Sequence, residues 1–240
     1  MPRTVVVFGA GVGLGAAVAR RFGLAGYRVA LVARDERRLN GLVAELAAEG
    51  VEAAAFAADL TRTAEIPGLI GRIRERFERI DVIEYAPITT DLFVRATDLD
   101  VATAQHYVNL YLLTPIAIVR EVLPEMLARG EGGILIGQGV SAVRPMPNLS
   151  GLGPAMAAAR NYVLSLNGEI AAQGVYAGVL HIAAMIRGSA GHRVATSGEL
   201  SVGVDFSRIP VVEPADLAET LWEMLTKRDR AEDVVPTAGP

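Results

Sequence analysis

Cysteine is absent from this chain of 240 residues. Its absence excludes disulfides, thiolate metal ligands and a thiol nucleophile. Lysine is almost absent too: of 23 basic residues, only Lys227 is a lysine and the others are arginines. Any chemistry that needs a titratable ammonium before residue 227 is therefore closed to it. The three histidines, His106, His181 and His192, have no metal-ligand spacing. Excess positive charge is also missing. The formal net charge is −4 and the arginines are scattered among acids, which speaks against nucleic acid as the main partner. One charge-free run, 101–119, has the length of a membrane span. It contains Gln105, His106, Asn109 and Pro115, so a helix buried in protein is expected and no membrane partner. The opening MPRTVVVFG is strand-like from Thr4 and leaves no room for a signal peptide. A soluble, cytoplasmic protein is the expectation.

What is present is an apolar chain, 51% hydrophobic, enough for a large core. Strand-length apolar runs alternate with helical patterns. Strands are expected at 4–9, 28–33, 51–59, 81–87, 132–139 and 175–182, with a short last one in EDVVP. Helices are expected at 13–26, 35–50 with Asp35 as cap, 61–77, 99–128 with Pro115 bending or breaking it, 152–173, and 214–226. The stretch 185–210 reads as irregular. Continuous apolar strands separated by helices indicate an α/β fold, a doubly wound parallel sheet of about seven strands with helices on both faces. No repeat, low-complexity segment or linker breaks the chain, so one domain over 1–240 is expected.

The strongest motif is VVVFGAGVGLGAAVARRF, with glycines at 9, 11, 13 and 15. It follows the first strand and opens the first helix. Gly9 permits the tight turn, and Gly11, Gly13 and Gly15 let backbone amides approach a pyrophosphate. A dinucleotide is the partner this predicts. After the second strand, LVARDERRL places Arg34 and then Asp35. An acid there suits the ribose of NAD(H), whereas a basic residue suits the 2′-phosphate of NADP(H). Arg34 favours NADP(H) through its planar fork, while Asp35 has the simpler role of capping. Alternatively, Arg34 is only a solvated charge.

On these residues the chain resembles the short-chain dehydrogenase/reductases, one-domain Rossmann enzymes of similar length. FGAGVGLG is similar to their Thr-Gly-x-x-x-Gly-x-Gly fingerprint at Gly9, Gly13 and Gly15, with Phe8 for the threonine. The resemblance implies cofactor contacts at Gly9, Gly11, Gly13, Leu14, Gly15, Arg34, Asp59 and Leu60, with Asp59 of AADLT against the adenine. Asn109 of YVNLY matches one of the four catalytic residues of the family. The other three do not match. The serine position holds Gly139, and the Tyr-x-x-x-Lys pair is replaced by Leu152 and Met156 in GLGPAMAAARNYV. With no lysine before 227, no shifted alignment recovers the pair. Asn-Asn-Ala-Gly after the fourth strand is EYAPI here, and Pro-Gly after the sixth is lost around Ile182 and Ala183.

Tyr162 lies ten residues beyond Leu152, about 15 Å along a helix, too far to substitute. Ser141, Ser150, Gln138 and His181 are nearer; Ser141 and His181 are the substitutes weighed, against plain loop or core roles. Three functions follow as expectations. The first is an NADP(H)-binding pseudo-oxidoreductase that senses cofactor or serves as a partner subunit. The second is an atypical NADPH-dependent oxidoreductase acting on a hydrophobic carbonyl or alcohol with a non-standard proton donor. The third is a lyase, isomerase or cyclase using the same pocket. Leu152, Ala155 and Met156 would give an apolar wall for a small hydrophobic ligand, and 185–210, with Arg187, His192 and Arg193, a lid. Ala155, Ala157, Ala158 and Ala159 would allow close helix packing, and the resemblance implies a homodimer or homotetramer. No metal is expected.

Overall fold

The computed structural model describes residues 2–89, 93–189, 191–193 and 209–237. Its first strand, β1 (Thr4–Phe8), is buried at every position, as a strand covered on both faces must be. α1 (Leu14–Leu24) follows, then β2 (Arg28–Ala33), α2 (Glu36–Ala48), β3 (Ala53–Ala57), α3 (Ile66–Phe77) and β4 (Val82–Tyr85). α4 (Val101–Val108) runs through one π turn, Asn109–Leu113, into α5 (Thr114–Arg129). β5 (Gly132–Gly139), α6 (Leu152–Ile170) and β6 (Val175–Ile182) complete the second half, followed by β7 (Met185–Ile186), β8 (Val211–Val212), α7 (Pro214–Lys227) and β9 (Glu232–Val235).

Seven strands form one parallel sheet in the order β3-β2-β1-β4-β5-β6-β9. Strand period two sends alternate residues to opposite faces. Val6, Phe8, Ile83, Ile134 and Ile136 meet residues of α3, α5 and α6, whereas Val5, Val7, Leu31, Leu135 and Leu180 meet α1, α2 and α7. The second layer is pinned where Phe22 of α1 packs edge-on to Trp222 of α7, their ring centroids 5.1 Å apart. Removing the Phe22 ring would cost about 3–5 kcal/mol. This is the single-domain Rossmann architecture expected. The winding reverses between β1 and β4, which opens a crevice at their carboxyl ends.

Several element ends shift by a few residues, and two differences matter further. The 99–128 helix is not interrupted at Pro115: that residue lies at the start of α5, just beyond the π turn. The wider π turn takes up the irregularity that a proline, lacking an N–H, would otherwise impose. The 185–210 stretch also begins more regularly than expected, since Met185 and Ile186 pair with Val211 and Val212 just beyond it. Residues 190 and 194–208 of the expected lid lie outside the described residues.

Candidate functional site

The crevice begins where β1 ends. Gly9 has φ +89°, and a Cβ there would lie 2.7 Å from the Pro87 backbone. Only glycine fits this turn. The amides of Gly9 and Ala10 both donate to the Val32 carbonyl, at 2.9 and 3.0 Å, folding the chain across the end of β2. Gly15 lets α1 press on the turn, because a Cβ there would lie 2.9 Å from Ala10 Cα. Gly11 is different: the nearest atom to a Cβ there would be the Gly9 carbonyl oxygen at 3.8 Å, leaving open space. α1 starts at Leu14, buried at 6% exposure, after an N-cap, Gly13, that supplies no side-chain hydrogen bond. No acid lies in its first turn. Uncapped amides at the positive end of a helix, with room in front of them, can hold an anion.

At the end of β2 the neighbours Arg34 and Asp35 are committed differently. Asp35 caps α2, accepting from the Arg38 amide at 3.0 Å, and pairs with the Arg38 guanidinium at 3.2 Å. Arg34 is exposed, and its charge acts on Asp59. Burial alone would raise the Asp59 carboxyl. Hydrogen bonds from Thr61, then Arg62 and Arg34, outweigh it and hold the carboxylate below its ordinary range. Leu60 is buried, and its carbonyl accepts from Thr114 Oγ1 at 2.6 Å, tying this loop to α5. Beside Asp59 opens a cleft of about 300 Å³ bordered by Ala57, Ile66, Leu69 and Arg72. A slightly larger hollow, about 350 Å³ between Arg3, Tyr27, Glu131 and Trp222, contains none of the residues expected at the site.

The other half holds the positions that the resemblance aligns with the family's catalytic set. A Cβ on Gly139 would lie 3.6 Å from Ser141 Oγ and 3.9 Å from Met156 Sδ. Gly139, Ser141 and Met156 thus share one small space. Leu152 and Met156 are buried, at 4% and 2% exposure. Ala155 and Ala159 face the core, while Ala157 and Ala158 are half-buried. The Asn109 side-chain carbonyl accepts from Gln105 Nε2 at 2.7 Å. Two departures from the family pattern touch each other: Phe8 faces Tyr85 across the β1–β4 register, with ring centroids 5.9 Å apart. The Tyr85 hydroxyl donates to the Leu110 carbonyl inside the π turn.

His181 lies beside Gln138 across the β5–β6 register. Its Nε2 is 2.8 Å from Glu232 Oε1, the arrangement of the tautomer protonated at Nε2. Arg160 of α6 holds the same carboxylate, with Nη2 2.7 Å from Oε2. Burial lowers the imidazole pKa, against the opposing pull of Glu232. His181 Nδ1 and Gln138 Nε2 are buried with no hydrogen-bond partner. A neutral imidazole tied to Glu232 is a weak proton donor.

Glu84 escapes a reading of the sequence altogether. It lies in β4 at 0% exposure with both carboxyl oxygens unpartnered, and burial raises its pKa to about 8. One oxygen lies 3.7 Å from where a Gly137 Cβ would be, beside Leu14 and Ala86. The only signal was one acid inside the apolar run DVIEYAP. Glu232 gave none, because its partner His181 lies 51 residues away. No group of three or more metal-ligating side chains occurs among the described residues, and no helix among them is long and apolar enough to cross a membrane.

A profile of the short chain dehydrogenase family matches residues 3–190. A short chain dehydrogenase of Pseudocercospora fijiensis is 31% identical over 176 residues, covering 72% of this chain and 56% of that protein. The match thus spans little more than half the relative's length. A short-chain dehydrogenase from Sphingobium yanoikuyae in complex with NADPH has TM-score 0.82 at 26% identity, covering 99% of this chain and 89% of that one. An NAD+-bound xylitol dehydrogenase has TM-score 0.85 at 17% identity, covering 99% and 98%. A short chain oxidoreductase from Pseudomonas aeruginosa PAO1, described as containing an atypical catalytic center, has TM-score 0.84 at 18% identity over 99% and 98%. Similar folds therefore hold NADPH in one case and NAD+ in another. With its seven-stranded parallel sheet, its glycine turn and this match over most of its length, the chain belongs to the short chain dehydrogenase family.

Proposed function

We propose that this protein binds NADP(H) at the glycine turn and lacks the Ser-Tyr-Lys proton transfer of its family, acting as a pseudo-oxidoreductase that senses cofactor or serves as a partner subunit. The observation that carries the cofactor half is the division of labour at the end of β2. Asp35 is spent on the α2 cap, which leaves Arg34 exposed for a 2′-phosphate. Gly9 and Gly15 shape the turn, Gly11 leaves room, and the Gly13–Leu14 start of α1 offers uncapped amides. Asp59 and Leu60 border the adenine end, beside the cleft of about 300 Å³.

Bound NADPH supplies a hydride; a carbonyl reduction then needs a proton donor at the substrate oxygen. Gly139, Leu152 and Met156 have no ionisable proton to give. Ser141 Oγ lies 4.0 Å from Met156 Sδ, a thioether that cannot act as a base. Their apolar surface excludes water and suits a small hydrophobic ligand. The charge-free outer side of α4, with Val101 85% exposed, supports a homodimer or homotetramer, and we keep the cytoplasm as its location.

A second reading, an atypical NADPH-dependent oxidoreductase, draws support from the His181–Glu232 pair and from the atypical center described for the Pseudomonas relative in fold. One experiment separates the two. NADPH is titrated into the protein, and NADPH oxidation is then followed against a panel of hydrophobic ketones and aldehydes. The first reading predicts binding with no oxidation above the protein-free rate. Robust turnover that disappears in His181→Ala or Ser141→Ala would establish the second reading, and turnover indifferent to both would overturn both assignments.

A further inference from the structure

One acid lies under the glycine turn. Glu84 faces the side of the sheet that α1 covers, because its register partners, Val7 of β1 and Leu135 of β5, belong to that layer. A Cβ on Gly137 would lie 3.0 Å from Ala86 Cβ, 3.2 Å from Leu14 Cδ2 and 3.7 Å from Glu84 Oε1. At this point the carboxyl meets the first residue of α1. It also meets the residue before Pro87, whose backbone abuts Gly9. Leu14 and Ala86 are the two supports of the glycine turn.

Nothing in this setting answers a negative charge. Glu84 is fully buried, and neither carboxyl oxygen has a hydrogen-bond partner. The residues around it, Val7, Leu14, Ala86, Leu135 and Gly137, do not titrate. Among the described residues, no charged group of α1, α7 or the neighbouring strands acts on it. A carboxylate without a donor or a counter-ion is strongly disfavoured in such a place, so the acid is held neutral. Burial raises its pKa to about 8, which brings the change of charge within reach of ordinary conditions.

Ionised Glu84 would oppose a second anion above it. The N-terminus of α1 is the positive end of the helix dipole, with no side-chain cap and no acid in its first turn. A carboxylate beside Leu14 and a pyrophosphate on the Gly11–Leu14 amides would draw on that same end and repel each other through low-dielectric protein. We propose that Glu84 is a proton switch on the glycine turn: protonated, it leaves the turn open to a dinucleotide, and ionised, it weakens binding. This rests on the reading that a dinucleotide occupies the glycine turn, and it adds a control which that reading lacks. By linkage, the bound anion favours the protonated acid, so binding takes up a proton. The sign follows: affinity is nearly full at pH 7 and is lost as pH rises through 8.

The test measures NADPH and NADH affinities from pH 7 to 9, by nicotinamide fluorescence, in the wild type, Glu84→Gln and Glu84→Leu. If ionisation weakens binding about tenfold, the wild type should lose about fivefold in affinity over this range relative to both variants. The loss should be equal for the two cofactors. They share the pyrophosphate, and a 2′-phosphate, titrating near about 6, is already ionised. Calorimetry of NADPH binding at pH 8, in buffers of different ionisation enthalpy, should show uptake of about 0.4 proton by the wild type and none by the variants. A merely structural role for Glu84 would shift the melting temperature and leave the proton count unmoved. Binding by the wild type with the pH profile of the variants and no proton uptake would overturn the switch and leave the cofactor reading standing. A wild type that binds neither dinucleotide would overturn both. Glu84→Leu suits the apolar site and keeps the comparison open should Glu84→Gln fold poorly.

Discussion

The sulfur of Met156 lies 4.0 Å from the hydroxyl of Ser141, and both groups border the space that a side chain at Gly139 would enter. We propose that this is the catalytic half of the family's site, with a glycine and a thioether at two of its positions. Met156 is 2% exposed and lies within the main core. A lysine placed at this position would carry its charge into an apolar setting. Met156→Lys should destabilise the protein by roughly 2–4 kcal/mol in urea unfolding. An unchanged midpoint would mean that the site still accommodates the family's ammonium.

Glu84 gives the fold a pH dependence of predictable sign. Its carboxyl titrates at 4.5 when unfolded and about 8 when buried, so the folded state binds the extra proton between these values. Stability from this group is complete below 4.5 and is lost as pH rises through 8. No charged group contributes to the shift, and Val7 and Leu135 flank it in the sheet. From pH 6 to 8 the wild type should lose about 2 kcal/mol relative to Glu84→Gln, measured by urea unfolding at each pH. Parallel curves for the two proteins would show that Glu84 is solvated or paired in solution.

Much of the sheet was legible because its strands are central and apolar. RVALVA, GGILIGQG and VYAGVLHI end where their apolar runs end, and each is β2, β5 or β6 to the residue. Asp35 announced its cap in the same way. The π turn was hidden, since Asn109–Leu113 has ordinary helical residues and only its hydrogen bonds differ. Two-residue strands such as Met185–Ile186 are too short for any periodicity. The His181–Glu232–Arg160 cluster joins β6, β9 and α6 across long separations, and no local pattern carries that information.

The glycines of the turn should separate by role. Gly15→Ala sets a Cβ 2.9 Å from the Ala10 backbone and should cost about 1–3 kcal/mol of stability. Gly11→Ala meets only open space and should melt like the wild type, while weakening dinucleotide binding about tenfold or more by filling the room beside the amides. Calorimetry and fluorescence titration of both variants check this. Full binding by Gly11→Ala would place the ligand elsewhere.

The buried histidine should respond to its carboxylate. Burial holds the His181 pKa below 6.5, and Glu232 partly opposes that shift. Its share of stability is therefore present above 6.5 and is lost as pH falls through the lower folded value. Glu232→Gln removes the opposing charge and leaves Arg160, so the imidazole should titrate lower still. An NMR titration of the His181 ring reads this directly. A pKa that rises in Glu232→Gln would show that the carboxylate does not face the ring in solution.

The most direct test is a titration of the wild type and Arg34→Ala with NADPH and NADH, followed by nicotinamide fluorescence. Arg34 is exposed while Asp35 is bound into its helix cap, so NADPH should bind the wild type about tenfold or more tighter than NADH. That preference should collapse in Arg34→Ala. Equal affinity for the two cofactors, or binding of neither, would contradict the assignment of this crevice to NADP(H).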